Sequence, residues 1–155
     1  HSYTASQKLV DDAAKDLREA RAAGVNIVPT TTGASKAAAL TIPSLEGKFN
    51  GLSVRVPNLV VSLADITAVL QRDTTPEEVN QVFEQAAKEP YYEGILSVTH
   101  DQLVSSDFRG NSNSTIIDLP LTDVVGGNLV KVIAWYDNEW GYSNRLVELS
   151  VDFGR

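Results

Sequence analysis

The chain has 155 residues, a length that suits one domain with its own core. Its 20 acidic and 13 basic residues leave a formal net charge of −7, which argues against nucleic acid as the main partner. No apolar run reaches membrane-spanning length and no basic cluster marks a membrane surface. With no cysteine, disulfides, thiolate metal sites and a thiol nucleophile on this chain are excluded. The two histidines, His1 and His100, have no spaced ligand cluster around them, so no structural metal is expected.

His1 to Gly24 is polar and charged. Asp11 to Ala23 has helical propensity, but no apolar stripe commits it to a helix, and a loop is expected. Val25 to Val28 reads as a short buried strand. Thr31 or Thr32 then caps a helix through Leu40, with Ala34, Ala37 and Ala38 as a small-residue face able to approach a sheet. Gly47 and Gly51 bracket a turn. Leu52, Val54 and Val56 alternate with Ser53 and Arg55, a half-buried strand with Arg55 on the face away from the aliphatics. Leu59 to Leu70 reads as a longer strand, apolar on both faces in its first half and so central.

Thr75-Pro76-Glu77-Glu78 is a helix start in which Thr75 caps, Pro76 takes the first helical position and Glu78 completes a capping box. Val79, Val82, Phe83 and Ala86 form its buried stripe, and the helix should end near Glu89. Further strands are expected at Ile95 to Val98, Ser114 to Asp118 and Leu129 to Trp135, with a turn at Gly126-Gly127. Strands outnumber helices, and the connection between the strands ending at Val56 and starting at Leu59 is too short for a parallel crossover. The fold class expected is α+β, a largely antiparallel or mixed sheet with helices on one face.

The last strand runs into Trp135-Tyr136-Asp137-Asn138-Glu139-Trp140-Gly141-Tyr142-Ser143-Asn144-Arg145. Beyond Gly141, Tyr142, Leu146, Leu149 and Phe153 recur at helical spacing. Aromatic rings, amides and charges thus meet at a strand-to-helix corner, where sites are commonly built, although the aromatics could equally cap a sheet. Elsewhere, Arg18 and Arg55 have the planar fork that suits phosphate, and Thr32-Gly33 opens a helix whose N-terminus favours an anion. His1 is a candidate general base. His100, Asp101 and Ser105-Ser106-Asp107 contain the residue types of a hydrolytic triad, but nothing in their spacing joins them, and structural roles are expected.

The stretch Trp135 to Arg145 resembles the C-terminal signature of phosphorylating glyceraldehyde-3-phosphate dehydrogenases. His1-Ser2-Tyr3-Thr4, Asp16-Leu17-Arg18, Pro29-Thr30-Thr31-Thr32-Gly33-Ala34, Arg55-Val56-Pro57 and Val104-Ser105-Ser106-Asp107-Phe108 agree with that family in order and spacing. The likeness covers the whole chain but only the catalytic half of the family's proteins, starting at the catalytic histidine. Residues 1–155 are accordingly expected to form the catalytic (C-terminal) domain, with the N-terminal Rossmann domain absent, and no G-x-G-x-x-G occurs in the chain.

The resemblance implies an oxidoreductase of glycolysis that converts glyceraldehyde 3-phosphate, inorganic phosphate and NAD to 1,3-bisphosphoglycerate and NADH. His1 would be catalytic. Arg55 and Thr4 would take the substrate phosphate, Thr32 and Gly33 the inorganic phosphate, with Arg18 between them. Asn138 would hold the nicotinamide carboxamide and Tyr142 would lie near the ring. No metal is implied. A Leu-Pro pair is typical of strict NAD users where Asp12-Ala13 stands here, and alanine occurs there in relatives that also take NADP. Asp12 would repel a ribose 2′-phosphate, which keeps NAD ahead of NADP. Residues 3 to 24 would match the loop that lies beside a neighbouring subunit's cofactor in a cytoplasmic homotetramer. The chain alone, without the cysteine and the missing N-terminal half, is expected to be inactive. The other readings are an erythrose-4-phosphate dehydrogenase and a non-enzymatic anion-binding or interaction module.

Overall fold

The computed structural model describes residues 1–154. It divides into two compact units, His1–Leu59 and Val60–Arg155. Seven strands and three helices are present among the described residues, and the sheets are antiparallel or mixed, an α+β architecture as expected.

The first unit begins with a loop. Asp11 closes it by accepting hydrogen bonds from the Ala22 N–H at 2.8 Å and Arg21 Nε at 3.0 Å, while Ala23 N–H donates to Lys8 O at 2.9 Å. Leu9, Val10 and Leu17 are exposed, so no apolar face was available to dock a helix. Strand β1 (Val28–Thr30) pairs antiparallel with β2 (Ser53–Arg55) in a separate two-stranded sheet. β1 starts where the expected strand ended, because Ala23–Val25 forms a 3-10 turn. Helix α1 (Ala34–Thr41) buries none of its residues, so its alanine face approaches no sheet. The burial of β2 is the reverse of the expected one: Val54 is 39% exposed, whereas the Arg55 side chain is only 16% exposed. Arg55 turns inward because Glu19 receives it there.

The second unit contains a five-stranded sheet: β3 (Ser62–Val69), β4 (Leu96–Thr99), β5 (Thr115–Asp118), β6 (Asp123–Val125) and β7 (Leu129–Tyr136). The order is β3-β7-β5-β4, with β6 also paired to β7. Only β4 and β5 are parallel. β3 is therefore an edge strand, not a central one. The apolar run that suggested otherwise includes Val60 and Val61, which precede the strand, and Val61 has φ of 73°. That left-handed turn breaks the alternation and buries Val61 with Phe108 and Ile116.

Helix α2 (Pro76–Ala86) has the expected cap, with Glu78 N–H donating to Thr75 Oγ1 at 3.3 Å. The Glu78 carboxylate does not return to Thr75; Arg72 at 3.1 Å and Thr74 at 2.9 Å hold it. The helix stops at Ala86, short of the expected end. Val79 and Phe83 pack on the core formed by Ile117, Leu119, Val130, Val132 and Ala134, while Val82 stays exposed. β6 was not expected. It forms a hairpin with β7 through Gly126 and Gly127, whose φ values of 62° and 87° favour glycine at both positions. Helix α3 (Trp140–Phe153) leaves the end of β7, and its apolar residues Tyr142, Leu146, Leu149 and Phe153 are exposed.

Candidate functional site

In the first unit, residues 1–4 run beside the segment that follows β2. Val56 N–H donates to His1 O at 2.9 Å, Tyr3 N–H donates to Asn58 O at 3.2 Å, and Ser2 bridges Val56. The His1 ring places Nδ1 2.6 Å from Ser2 O. A carbonyl oxygen only accepts, so Nδ1 carries the proton and the neutral ring has its basic lone pair on Nε2.

This strand-like pairing also brings Thr4 towards Arg55. Thr4 Oγ1 lies 3.1 Å from Ser6 Oγ, which accepts from Arg55 Nη1 at 2.9 Å. The same guanidinium nitrogen is 3.1 Å from Glu19 Oε1, and that oxygen accepts from Thr30 Oγ1 at 3.2 Å. Thr4, Ser6, Arg55, Glu19 and Thr30 are thus one connected polar chain. Both charged side chains are largely shielded, so their attraction exceeds that of a surface pair. Glu19 was not foreseen. Its only signal in the sequence was an acid beside Arg18.

Arg18 stands apart from that chain. It lines a cleft of about 660 Å³ with Thr31, Thr32, Gly33, Lys36 and Asn50. Thr32 Oγ1 accepts from Ala34 N–H at 3.2 Å, which fixes the entry to α1, and the N-terminal end of α1 adds partial positive charge. The proposed anion residues therefore separate into two groups, Thr4 with Arg55 and Arg18 with Thr32 and Gly33. Each combines cationic and hydroxyl groups, which is a donor set for phosphate or carboxylate oxygens.

In the second unit, β3 and β7 place Ser62 opposite Tyr136. Ser62 Oγ donates to Asn138 Oδ1 at 3.0 Å. Tyr136 also hydrogen-bonds Ser62. Burial raises the Tyr136 pKa above the ordinary phenol value, against the opposing effect of that hydrogen bond, so the phenol keeps its proton.

Asn138 is followed by a tight turn organised by Asp137. Its carboxylate accepts from Trp140 N–H at 2.9 Å, Glu139 N–H at 3.1 Å and Gly110 N–H at 2.9 Å. Burial alone would raise its pKa, but these backbone donors, with Arg109 nearby, hold it below the usual carboxylate value. Gly141 lets the first turn of α3 pack closely on the loop before β5, where a Cβ would stand 3.1 Å from Asn113 O. Tyr142, one turn on from Asn138, is 68% exposed. Behind the corner, Trp135 stacks on Phe108 at 5.1 Å between centroids and donates from Nε1 to the buried Asp118 at 2.9 Å.

The residues of the hydrolytic alternative are engaged elsewhere. His100 Nε2 lies 3.2 Å from Glu84, and Asp107 accepts from Val104 N–H at 2.8 Å. Among the described residues, no group of three or more His, Cys, Asp or Glu could hold a metal, and no helix is long and apolar enough to cross a membrane.

Fold and side chains together define an α+β domain with hydroxyl and guanidinium groups gathered in one unit and an oriented amide in the other. The family model for the glyceraldehyde 3-phosphate dehydrogenase C-terminal domain matches residues 1–138. The chain is 54% identical over 150 residues to glyceraldehyde-3-phosphate dehydrogenase 2 of Synechocystis sp., covering 97% of this chain and 44% of that protein. It is 53% identical to the chloroplastic glyceraldehyde-3-phosphate dehydrogenase A of Chlamydomonas reinhardtii, over 97% of this chain and 40% of that one. With glyceraldehyde-3-phosphate dehydrogenase 2 of Staphylococcus aureus it shares 52% identity over 99% of this chain and 44% of the relative. The chain belongs to the glyceraldehyde 3-phosphate dehydrogenase C-terminal domain family. It spans less than half the length of these relatives.

Proposed function

We propose that the chain is the catalytic-domain portion of a phosphorylating glyceraldehyde-3-phosphate dehydrogenase, acting with NAD in cytoplasmic glycolysis as part of a homotetramer. The observation that carries this reading is the division of the anion-binding side chains into two groups within one unit. Arg55 and Thr4 take the phosphate of glyceraldehyde 3-phosphate. Thr32, Gly33 and Arg18 take inorganic phosphate. Two phosphate positions are what a phosphorylating dehydrogenase requires, since the substrate carries one and the acyl group is transferred to the other.

His1 acts as the base through Nε2, receiving the proton of a thiol that lies outside these 155 residues. Such a histidine lowers the barrier when its basic nitrogen is already oriented, which the bond from Nδ1 to Ser2 O achieves. Asn138 suits a nicotinamide carboxamide: Ser62 donates to its Oδ1, so the amide is oriented and Nδ2 lies at the opposite end. When bound, the nicotinamide supplies the hydride acceptor. Tyr142, one helical turn beyond Asn138, is the residue that would lie near the nicotinamide ring. The adenine half needs a Rossmann domain, and no G-x-G-x-x-G lies within these 155 residues.

Complementation tests the reading. The chain alone should produce no NADH. Coexpressed with the cofactor-binding half of the Synechocystis relative, it should give NADH that depends on both glyceraldehyde 3-phosphate and phosphate. NADH formation by the chain alone, or its absence from a soluble, assembled pair, would overturn the proposal.

A further inference from the structure

The segment closing the cleft of the first unit carries a reactive dipeptide. Asn50-Gly51 is the sole Asn-Gly pair in the sequence, and it lies between α1 and β2 with both residues exposed. Both line the cleft that contains Arg18, Thr32, Gly33 and Lys36. Asn50 Oδ1 accepts from Gly51 N–H at 2.9 Å, so the side-chain amide already lies against the next nitrogen in the chain. Gly51 has no side chain to obstruct that approach, and nothing lies within 4 Å of where a Cβ would stand. Its backbone also turns without the steric penalty of other residues.

We propose that Asn50 is a site of spontaneous deamidation whose product places a carboxylate in the anion cleft. The Gly51 amide nitrogen loses its proton and attacks Asn50 Cγ. A nitrogen–carbon bond forms, the side-chain amide leaves as ammonia, and a five-membered cyclic imide remains. Water then opens the ring at either carbonyl, leaving aspartate or isoaspartate at position 50. Nothing is oxidised or reduced, and water is the only co-reactant. Asparagine is among the residues most prone to such loss.

The functional consequence rests on the reading of this cleft as the inorganic-phosphate position. The Asn50 amide is uncharged. A carboxylate in its place repels phosphate across the cleft and competes for Arg18 and Lys36. Phosphate affinity should fall about five-fold on conversion. The cleft then carries its own record of age, losing affinity for one charged substrate while the fold is kept.

The test uses the full 155-residue chain. It is held in mildly alkaline buffer at growth temperature, sampled by ion exchange, and mapped by peptide mass with separation of isoaspartate. The expected result is a growing acidic form whose change maps to Asn50, formed faster than any change at Asn111 or Asn113. The Asn50→Ser variant should not form it. Conversion at Asn50 no faster than at those two asparagines would overturn the modification. Calorimetry with inorganic phosphate then compares wild type with Asn50→Asp. Weaker binding by the variant is expected, and equal affinities would overturn the proposed consequence. If wild type binds no phosphate, the phosphate assignment and its linkage to position 50 both fail, whereas the mapped conversion would still establish the modification.

Discussion

Ser62 and Asn138, 76 positions apart in sequence, are joined by a 3.0 Å hydrogen bond in which the serine hydroxyl donates to the amide oxygen. Ser62 is only 3% exposed, so water does not readily replace it. Ser62→Ala removes one donor to a half-buried amide and should destabilise the second unit by about 1 kcal/mol, read by urea denaturation. In the complemented enzyme the same change should raise KM for NAD more than it lowers kcat, because it removes a hydrogen bond that orients the amide. Equal KM values would show that Ser62 does not orient Asn138 for the cofactor.

Asp137 secures the turn that carries Asn138. Its folded pKa lies below the ordinary value, so its stabilising contribution is complete above the unfolded pKa near 4 and disappears as pH falls through the lower folded value. Asp137→Asn replaces a charged acceptor of three N–H bonds and should cost about 2 kcal/mol at neutral pH. The difference between variant and wild type should shrink in acid, because there the wild-type side chain is also neutral. Denaturation curves across the acidic range would check this, and a constant difference would contradict it.

Those two residues show what the sequence could and could not convey. The β7-to-α3 corner was legible because alternation gave way to helical spacing within a few residues, and the α2 cap was legible because Thr75 and Pro76 are local signals. β6 escaped notice because its three residues are too few to show a period. The edge position of β3 was hidden because Val60 and Val61 extend its apolar run through a break made by backbone conformation alone. Ser62 and Glu19 gain their roles from partners 76 and 36 positions away, which no local pattern reveals.

Val61 offers a test of that break. It is β-branched, almost fully buried, and held at a φ of 73°, which costs about 1–3 kcal/mol. Val61→Ala and Val61→Gly both lose packing against Phe108 and Ile116. Only glycine also relieves the backbone. The glycine variant should therefore be the more stable of the two by about 1 kcal/mol, opposite to the order found in ordinary strands. Chemical denaturation of the pair decides it, and an alanine variant that is clearly more stable would show that the conformation is unstrained.

Glu19 occupies the guanidinium of Arg55 that is assigned to the substrate phosphate. A phosphate must displace or share that contact. Glu19→Gln removes the competing charge and should strengthen binding of a small phosphate ester about three-fold, while Arg55→Ala should weaken it about ten-fold. Titrations followed by NMR would measure both. If Glu19→Gln weakens binding, the carboxylate serves to hold Arg55 in position more than it competes with the ligand.

The exposed row on the sheet bears on assembly. Val69 pairs with Leu129 across β3 and β7, and Leu129 pairs with Val125 across β7 and β6, so three apolar side chains lie side by side on one face. They are 73%, 37% and 57% exposed, in that order. Further along that face, Lys131 in the next row and Asp65 in the row after it form an ion pair at 2.9 Å, which gives the surface a complementary charge pattern as well as apolar area. A bare apolar row on an edge-containing sheet invites pairing with another chain, and a second copy of the same face supplies both the apolar and the charged complement. Sedimentation should therefore show self-association that strengthens with concentration. Val69→Lys places a charge at the edge of the row and should shift the chain to monomer while leaving the β3–β7 pairing intact, since its side chain is exposed and is not part of the core of the second unit. A wild-type chain that remains monomeric at high concentration, or a Val69→Lys variant that associates equally well, would rule out this face as the contact.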